Sequence, residues 1–371
     1  MKLRKIAAVL IAIVALCAAP IGGLVGVDCM SFFAPQAEAA GKTYKVGDIV
    51  EFGSYPQSRI TNSSLVSALN KVSKNWVSYG YYSGTGDYGT MVQGNWMKYA
   101  DFTYNGTKYR AVTFSQYRPY RIYNPSSSNT SNQYSNGYTP NKIYYFKYEP
   151  LKWRVLDPSA GLVLCESIID SQAYSNTVYC YGRDPYDEYD AYWNDAEHTH
   201  YANDYATSSI RAWLNDDFYN TAFSSSQKAS ILTSKLDNRA CSTSYSEYDS
   251  ETTYDKVFLL SWSEMQNTAY GFSASTSSSP TRQAKGTDYA KCQGVDVDSS
   301  SKCSEQRLRS AGGISSHACS VYNDGTHHDI GWGVYDTSNG VRPAIKISNL
   351  SSAISKSGGS GSSSGNSTKN T

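Results

Sequence analysis

The sequence predicts an α+β domain built on an antiparallel sheet. Three observations support this: short strand-like runs lie on both sides of the chain's middle, the few helical patterns cluster between them, and no βαβ alternation occurs. The first hairpin is marked by Asn105-Gly106 between Lys98–Thr103 and Lys108–Phe114. An Asn-Gly pair between alternating runs favours a tight turn with positive φ at both central residues. Leu151–Asp157 and Gly161–Ile169 read as strands separated by Pro158–Gly161, a turn composition. Ser208 or Ser209 can cap a helix whose Ile210, Trp213, Leu214 and Phe218 fall on one face. A second helix is expected over Ser226–Leu236, a buried strand over Lys256–Ser261 and a helical turn over Ser263–Thr268. Short strands return at Arg307–Ser310, Ala318–Tyr322, Trp332–Tyr335 and Val341–Ile347.

The ends of the chain have a different character. Lys2, Arg4 and Lys5 precede an apolar run from Ile6 to Val27, and Ala37-Glu38-Ala39 supplies an A-x-A site. Residues 1–39 therefore read as a secretory signal peptide, with an uncleaved anchor as the alternative. The mature chain is expected to be secreted or extracellular, whether or not it stays at the cell surface. Residues 40–350 read as a single α+β domain with two insertions, a surface loop over 125–140 and an acidic stretch over 184–204. Residues 351–371, rich in Ser and Gly and lacking apolar periodicity, read as a disordered tail. After residue 40 no run approaches the roughly 20 apolar residues of a membrane span, so no transmembrane segment is expected in the mature chain.

Charge and composition narrow the partners. Lys and Arg number 33 against 32 Asp and Glu, and the signal removes three basic and two acidic residues, so the mature chain is neutral. It carries no basic field for a phosphate backbone, and nucleic acid is excluded as an expected partner. Tyr numbers 33 against 10 Phe while only 18% of residues are charged. Hydroxyls, amides and rings replace Lys and Glu, as on surfaces that bind through rigid aromatic contacts. Cys165, Cys180, Cys241, Cys292, Cys303 and Cys319 follow the signal. An even number in an oxidising compartment permits up to three disulfides, although Cys165, in the apolar run from Leu162, also reads as a lone buried thiol.

Several motifs resemble, in their order, an uncharacterised secreted bacterial domain-of-unknown-function family. They are Val46-Gly47-Asp48, FGSYPQ from Phe52, LKWRVLD from Leu151, SIRAWLN from Ser209, DKVFLLS from Asp255, LRS from Leu308 and GVRPA from Gly340. The resemblance covers nearly all of 44–347. It implies a C-type-lectin-like C-terminal half related to formylglycine-generating-enzyme-like domains, and it brings no activity with it. The enzyme branch of those relatives implies a copper-type oxidase, for which Cys303 and Cys319 would be the Cys pair, with a plain disulfide as the simpler alternative.

Catalytic motifs are otherwise scarce. The sequence has no H-E-x-x-H or P-loop pattern, and only five His residues. Asp187, Glu188, Asp190, His198 and His200 gather oxygen and imidazole ligands, for which Ca is the candidate ion, but their spacing fits no known loop and a solvated flap is the simpler reading. No cofactor is otherwise expected. The most informative stretch is 310–340, which contains no Lys, Glu, Gln or Met. It resembles the variable region of lectin-like proteins diversified by mutagenesis of adenines, with ordinary neutral surface composition as the alternative. On either reading His317, Tyr322, His327, His328, Trp332 and Tyr335 form the expected binding face for a protein or glycan ligand, since rings and neutral imidazoles stack at low entropy cost. Arg309 and Arg342 are expected to serve buried carbonyls or carboxylates, and Trp153, Trp213 and Phe258 to lie in the core. The function expected is non-catalytic binding, with an oxidase, a hydrolase or a structural cell-envelope role as alternatives.

Overall fold

The computed structural model describes residues 43–83, 90–119, 132–176, 179–181, 191–193 and 200–357. The expected signal peptide lies outside them, as does most of the acidic insertion. The chain begins with β1 (Ile49–Arg59), α1 (Ser63–Asn70), β2 (Val77–Ser83), β3 (Thr90–Tyr104), β4 (Thr107–Phe114), α2 (Asn132–Ser135) and β5 (Ile143–Asp157). Next come β6 (Leu162–Cys165), β7 (Asp170–Ser171), β8 (Tyr179–Tyr181) and β9 (Ala191–Trp193), then α3 (Ser209–Trp213), a π-helical turn Leu214–Phe218, α4 (Tyr219–Ala222) and α5 (Ser225–Ser230). The C-terminal part holds β10 (Ser234–Asn238), β11 (Ser250–Asp255), β12 (Val257–Phe258), α6 (Asp288–Gln293), β13 (Gln306–Ala311) and β14 (His317–Val321). It ends with β15 (His327–Gly333), β16 (Gly340–Val341), β17 (Ala344–Lys346) and α7 (Leu350–Ser357).

The fold is α+β, mostly antiparallel sheet curled into a half-barrel with a few short helices. The larger sheet runs β12-β17-β6-β5-β4-β3-β2, with β1 added on β5. At the β3–β4 turn Asn105 and Gly106 take φ of 47° and 74°, as the sequence predicts. β5 is long enough to pair with β4 through its first half, β6 through its second and β1 along most of its length. A smaller sheet, β15-β14-β13-β16-β7, carries the region of interest. One apolar core joins both sheets and includes Trp153, Trp213 and Phe258.

Buried arginines tie loops to this core. Arg309 donates to the Leu259 carbonyl at 2.9 Å and to the Glu264 carboxylate. Arg342 donates to the Cys165 carbonyl at 2.7 Å. A guanidinium with several fixed donors can satisfy carbonyls from different segments at once, which explains why these two positions are inward-facing.

Several elements differ from the sequence expectation, most of them for a packing reason. The second helix ends at Ser230 rather than Leu236, because Ile231 pairs with Ile347 and Leu236 enters β10. Of the expected surface loop, residues 125–131 lie outside the described residues, and 132–140 keep Tyr134 exposed but are anchored inward at Gln133, which donates to the Cys292 carbonyl at 2.7 Å and accepts from the Arg118 amide at 2.6 Å. Tyr138 is buried too, its hydroxyl on the Asp288 carbonyl at 2.8 Å. Residues 351–357 are helical, not a tail, because Leu350, Ala353 and Ile354 pack against the core at i, i+3 and i+4. The strand expected over Trp332–Tyr335 instead runs from His327 to Gly333.

Candidate functional site

The smaller sheet ends in the hairpin of β14 and β15. Val321 pairs with His327, Ser320 with His328, Ala318 with Trp332 and His317 with Gly333. Between the second and third pairs β15 holds extra residues, and Gly331 turns there with φ 76°. A side chain at Gly331 could not fit, since its Cβ would lie 1.9 Å from the Ala318 carbonyl oxygen. Side chains of paired residues share a face, and residues two apart on a strand do so as well. His328 and Trp332 therefore stand on one face with Ser320 and Ala318, while His327 points to the other.

Three rings meet on that face. Tyr322 stacks on His328 with centroids 4.6 Å apart and planes 22° apart, and Trp332 closes edge-on at 5.7 Å from His328 and 6.4 Å from Tyr322. Trp332 is 38% exposed, and neighbouring Ile330 is exposed too. The Trp332 indole donates to Glu305. Burial, then the neighbouring Asp296, pushes the Glu305 carboxyl up to about 7. Beneath the rings Arg307 is buried and donates to the Trp332 and Gly333 carbonyls at 2.7 and 2.6 Å. Burial, with the Arg307 charge and His328 nearby, lowers His317 to about 4, and burial also lowers His328. These imidazoles are neutral at pH 7 and present both a donor and an acceptor.

Two polar atoms on this face have no hydrogen-bond partner among the described residues. They are the hydroxyl of fully buried Ser320 and Nδ1 of His328, its cross-strand neighbour. A buried polar atom left unpaired costs about 1–3 kcal/mol.

The six residues read from the sequence are thus divided. Tyr322, His328 and Trp332 come together, and His317 lies next to them at the start of β14. His327 does not share their face: it is 7% exposed and packs edge-on against Trp262 at 4.5 Å. Tyr335 lies beyond the end of β15, half-buried over Gly333. Sequence reasoning missed Glu305, Arg307 and Ser320. Ser320 lay inside the 310–340 stretch and alternates with Ala318, the one sequence signal available. Glu305 and Arg307 reach the site only through the pairing of β13 with β14.

Of the suggested metal ligands, Asp187, Glu188, Asp190 and His198 lie outside the described residues. His200 is committed to Asp204, Nδ1 to carboxylate at 3.0 Å. Among the described residues no group of three or more His, Cys, Asp or Glu could hold a metal ion. The suggested cysteine pair is also corrected: the Cys303 thiol bonds the Ser301 carbonyl, whereas the neighbour of Cys319 is Cys241. A hydrolase would find Ser316 Oγ 2.9 Å from His317 Nδ1, but Ser316 is buried and Arg307 rather than a carboxylate is the charge that acts on the imidazole.

By fold and site this is a sheet protein with an aromatic, neutral face on an edge hairpin. Residues 164–349 match the domain of unknown function DUF6273, and the chain belongs to that family. No curated protein and no solved structure matches the chain.

Proposed function

We propose that the chain is a secreted or surface-associated binding module without covalent chemistry, which holds a protein or glycan ligand on the Tyr322–His328–Trp332 face. The observation that favours this reading is the aromatic platform itself, in which exposed Trp332 stands edge-on to the stacked Tyr322 and His328 rings. A sugar ring or an apolar side chain would stack on Trp332, and its hydroxyls or amides would reach the Glu305 carboxyl beside the indole. The neutral imidazoles avoid the desolvation that a charged contact would bring. A C-type-lectin-like relationship of the C-terminal half belongs to the same proposal, as does export by the N-terminal signal.

The test is to present the purified chain to arrays of bacterial and host glycans and of surface proteins, alongside the variant His328→Ala. Hits that disappear in the variant support the assignment. Hits that persist unchanged would move the site elsewhere, and a chain with no hits would favour a structural envelope role.

A further inference from the structure

Behind the hairpin, on the face away from the rings, two sulfurs converge. Cys241 Sγ lies 3.3 Å and Cys319 Sγ 3.4 Å from the same atom, the carbonyl oxygen of Asp329. The two thiols also hydrogen-bond to each other. A second atom is shared as well: the Ala311 carbonyl accepts the Cys241 amide at 3.2 Å and lies 3.2 Å from the Cys319 sulfur. By contrast the Cys303 sulfur contacts the carbonyl of Ser301, two residues away. Sequence separation does not explain this meeting: Cys241 precedes a 3-10 turn over Thr243–Tyr248, and Cys319 sits in the middle of β14.

We propose that Cys241 and Cys319 are a redox pair that closes to a disulfide when an oxidised dithiol, such as a disulfide-exchange donor, is supplied. Cys241 is the entry point because it is partly exposed, whereas Cys319 is fully buried and its thiol is held well above the ordinary range by that burial. The Cys241 thiolate attacks the donor disulfide and releases one donor thiol. The Cys319 sulfur then attacks the mixed disulfide at Cys241 and releases the second, so the pair loses two hydrogens and the donor gains them. Closure removes both S–H donors from the Asp329 carbonyl, yet that oxygen keeps the Gly313 amide at 3.1 Å and is not orphaned. Cys319 lies in β14, so the bond would fasten β14, beside the irregular part of β15, to the segment before the 3-10 turn. The inference stands on sulfur geometry and does not depend on what the aromatic face binds.

The experiment equilibrates the full chain in a mixture of reduced and oxidised glutathione, blocks free thiols by alkylation, and maps tryptic peptides without reduction. Trypsin gives Ala240–Lys256, containing Cys241, and Ser310–Lys346, containing Cys319, because Pro343 protects the bond after Arg342. The expected result is these two peptides linked, and released by reduction. Both peptides recovered as alkylated thiols, or Cys319 joined to any other cysteine, would overturn the proposal. A second readout guards against misfolding: the parent should melt several degrees higher when oxidised than when reduced, and Cys241→Ser should melt equally in both buffers. A parent indifferent to redox state, or a variant that keeps the difference, would equally overturn it.

Discussion

The Tyr322 ring lies over the His328 imidazole, with 4.6 Å between centroids and 22° between planes. The two residues sit on opposite sides of the β14–β15 turn, so their stacking closes the hairpin and orients the imidazole toward Trp332. Replacing Tyr322 with Ala removes that support. Ligand binding should fall about tenfold, while the melting temperature drops by only a few degrees, as thermal unfolding followed alongside titration would show.

The irregular part of β15 depends on one backbone position. Gly331 has φ 76° and no room for a Cβ against the Ala318 carbonyl. Gly331→Ala should destabilise the chain by more than about 1 kcal/mol in denaturant titration and displace Trp332 from the His328 face. Tryptophan fluorescence would report that displacement.

Glu305 makes stability depend on pH. Its carboxyl is raised from the usual 4.5 to about 7, chiefly by burial, so the folded chain holds a proton that the unfolded chain has already released. Stability from this group is fully present below pH 4.5 and is lost as the pH rises to 7. His317 has the opposite sign: its value falls from 6.5 to about 4, so its contribution is present above pH 6.5 and is lost as the pH drops toward 4. Glu305→Gln should therefore gain on the parent between pH 4.5 and 7 and hold a constant lead above it, as melts across that range would measure.

The ion pair of Arg309 with Glu264 fixes β13 against the segment after β12. Arg309→Leu leaves the Glu264 carboxylate without its guanidinium and the Leu259 carbonyl without a donor. Destabilisation of about 3–5 kcal/mol is expected from denaturant unfolding, and the double variant Arg309→Leu with Glu264→Leu should recover part of it.

The sequence showed local features well and long-range ones poorly. The Asn105-Gly106 turn, the Ser208 cap and the inward roles of Arg309 and Arg342 depend on chemistry within a few residues or on one strongly buried group. Three of the six proposed ring residues came together because turn and strand alternation placed them there. His327 was misassigned because adjacent strand residues point to opposite faces, so His327 and His328 cannot both face the rings. Leu236 and Ile231 left their expected helix because a distant strand, through Ile347, offered better pairing. Glu305 was invisible for a similar reason, since it meets Trp332 only once the sheet has formed.

The central claim rests most directly on the affinity of an array-identified ligand for Trp332→Ala compared with Tyr254→Ala. Both are exposed aromatic positions, but Tyr254 lies on β11, in a separate two-stranded sheet. Loss of about 30-fold or more in Trp332→Ala, with Tyr254→Ala unchanged, is the predicted result. Equal affinity for the parent and Trp332→Ala would contradict it.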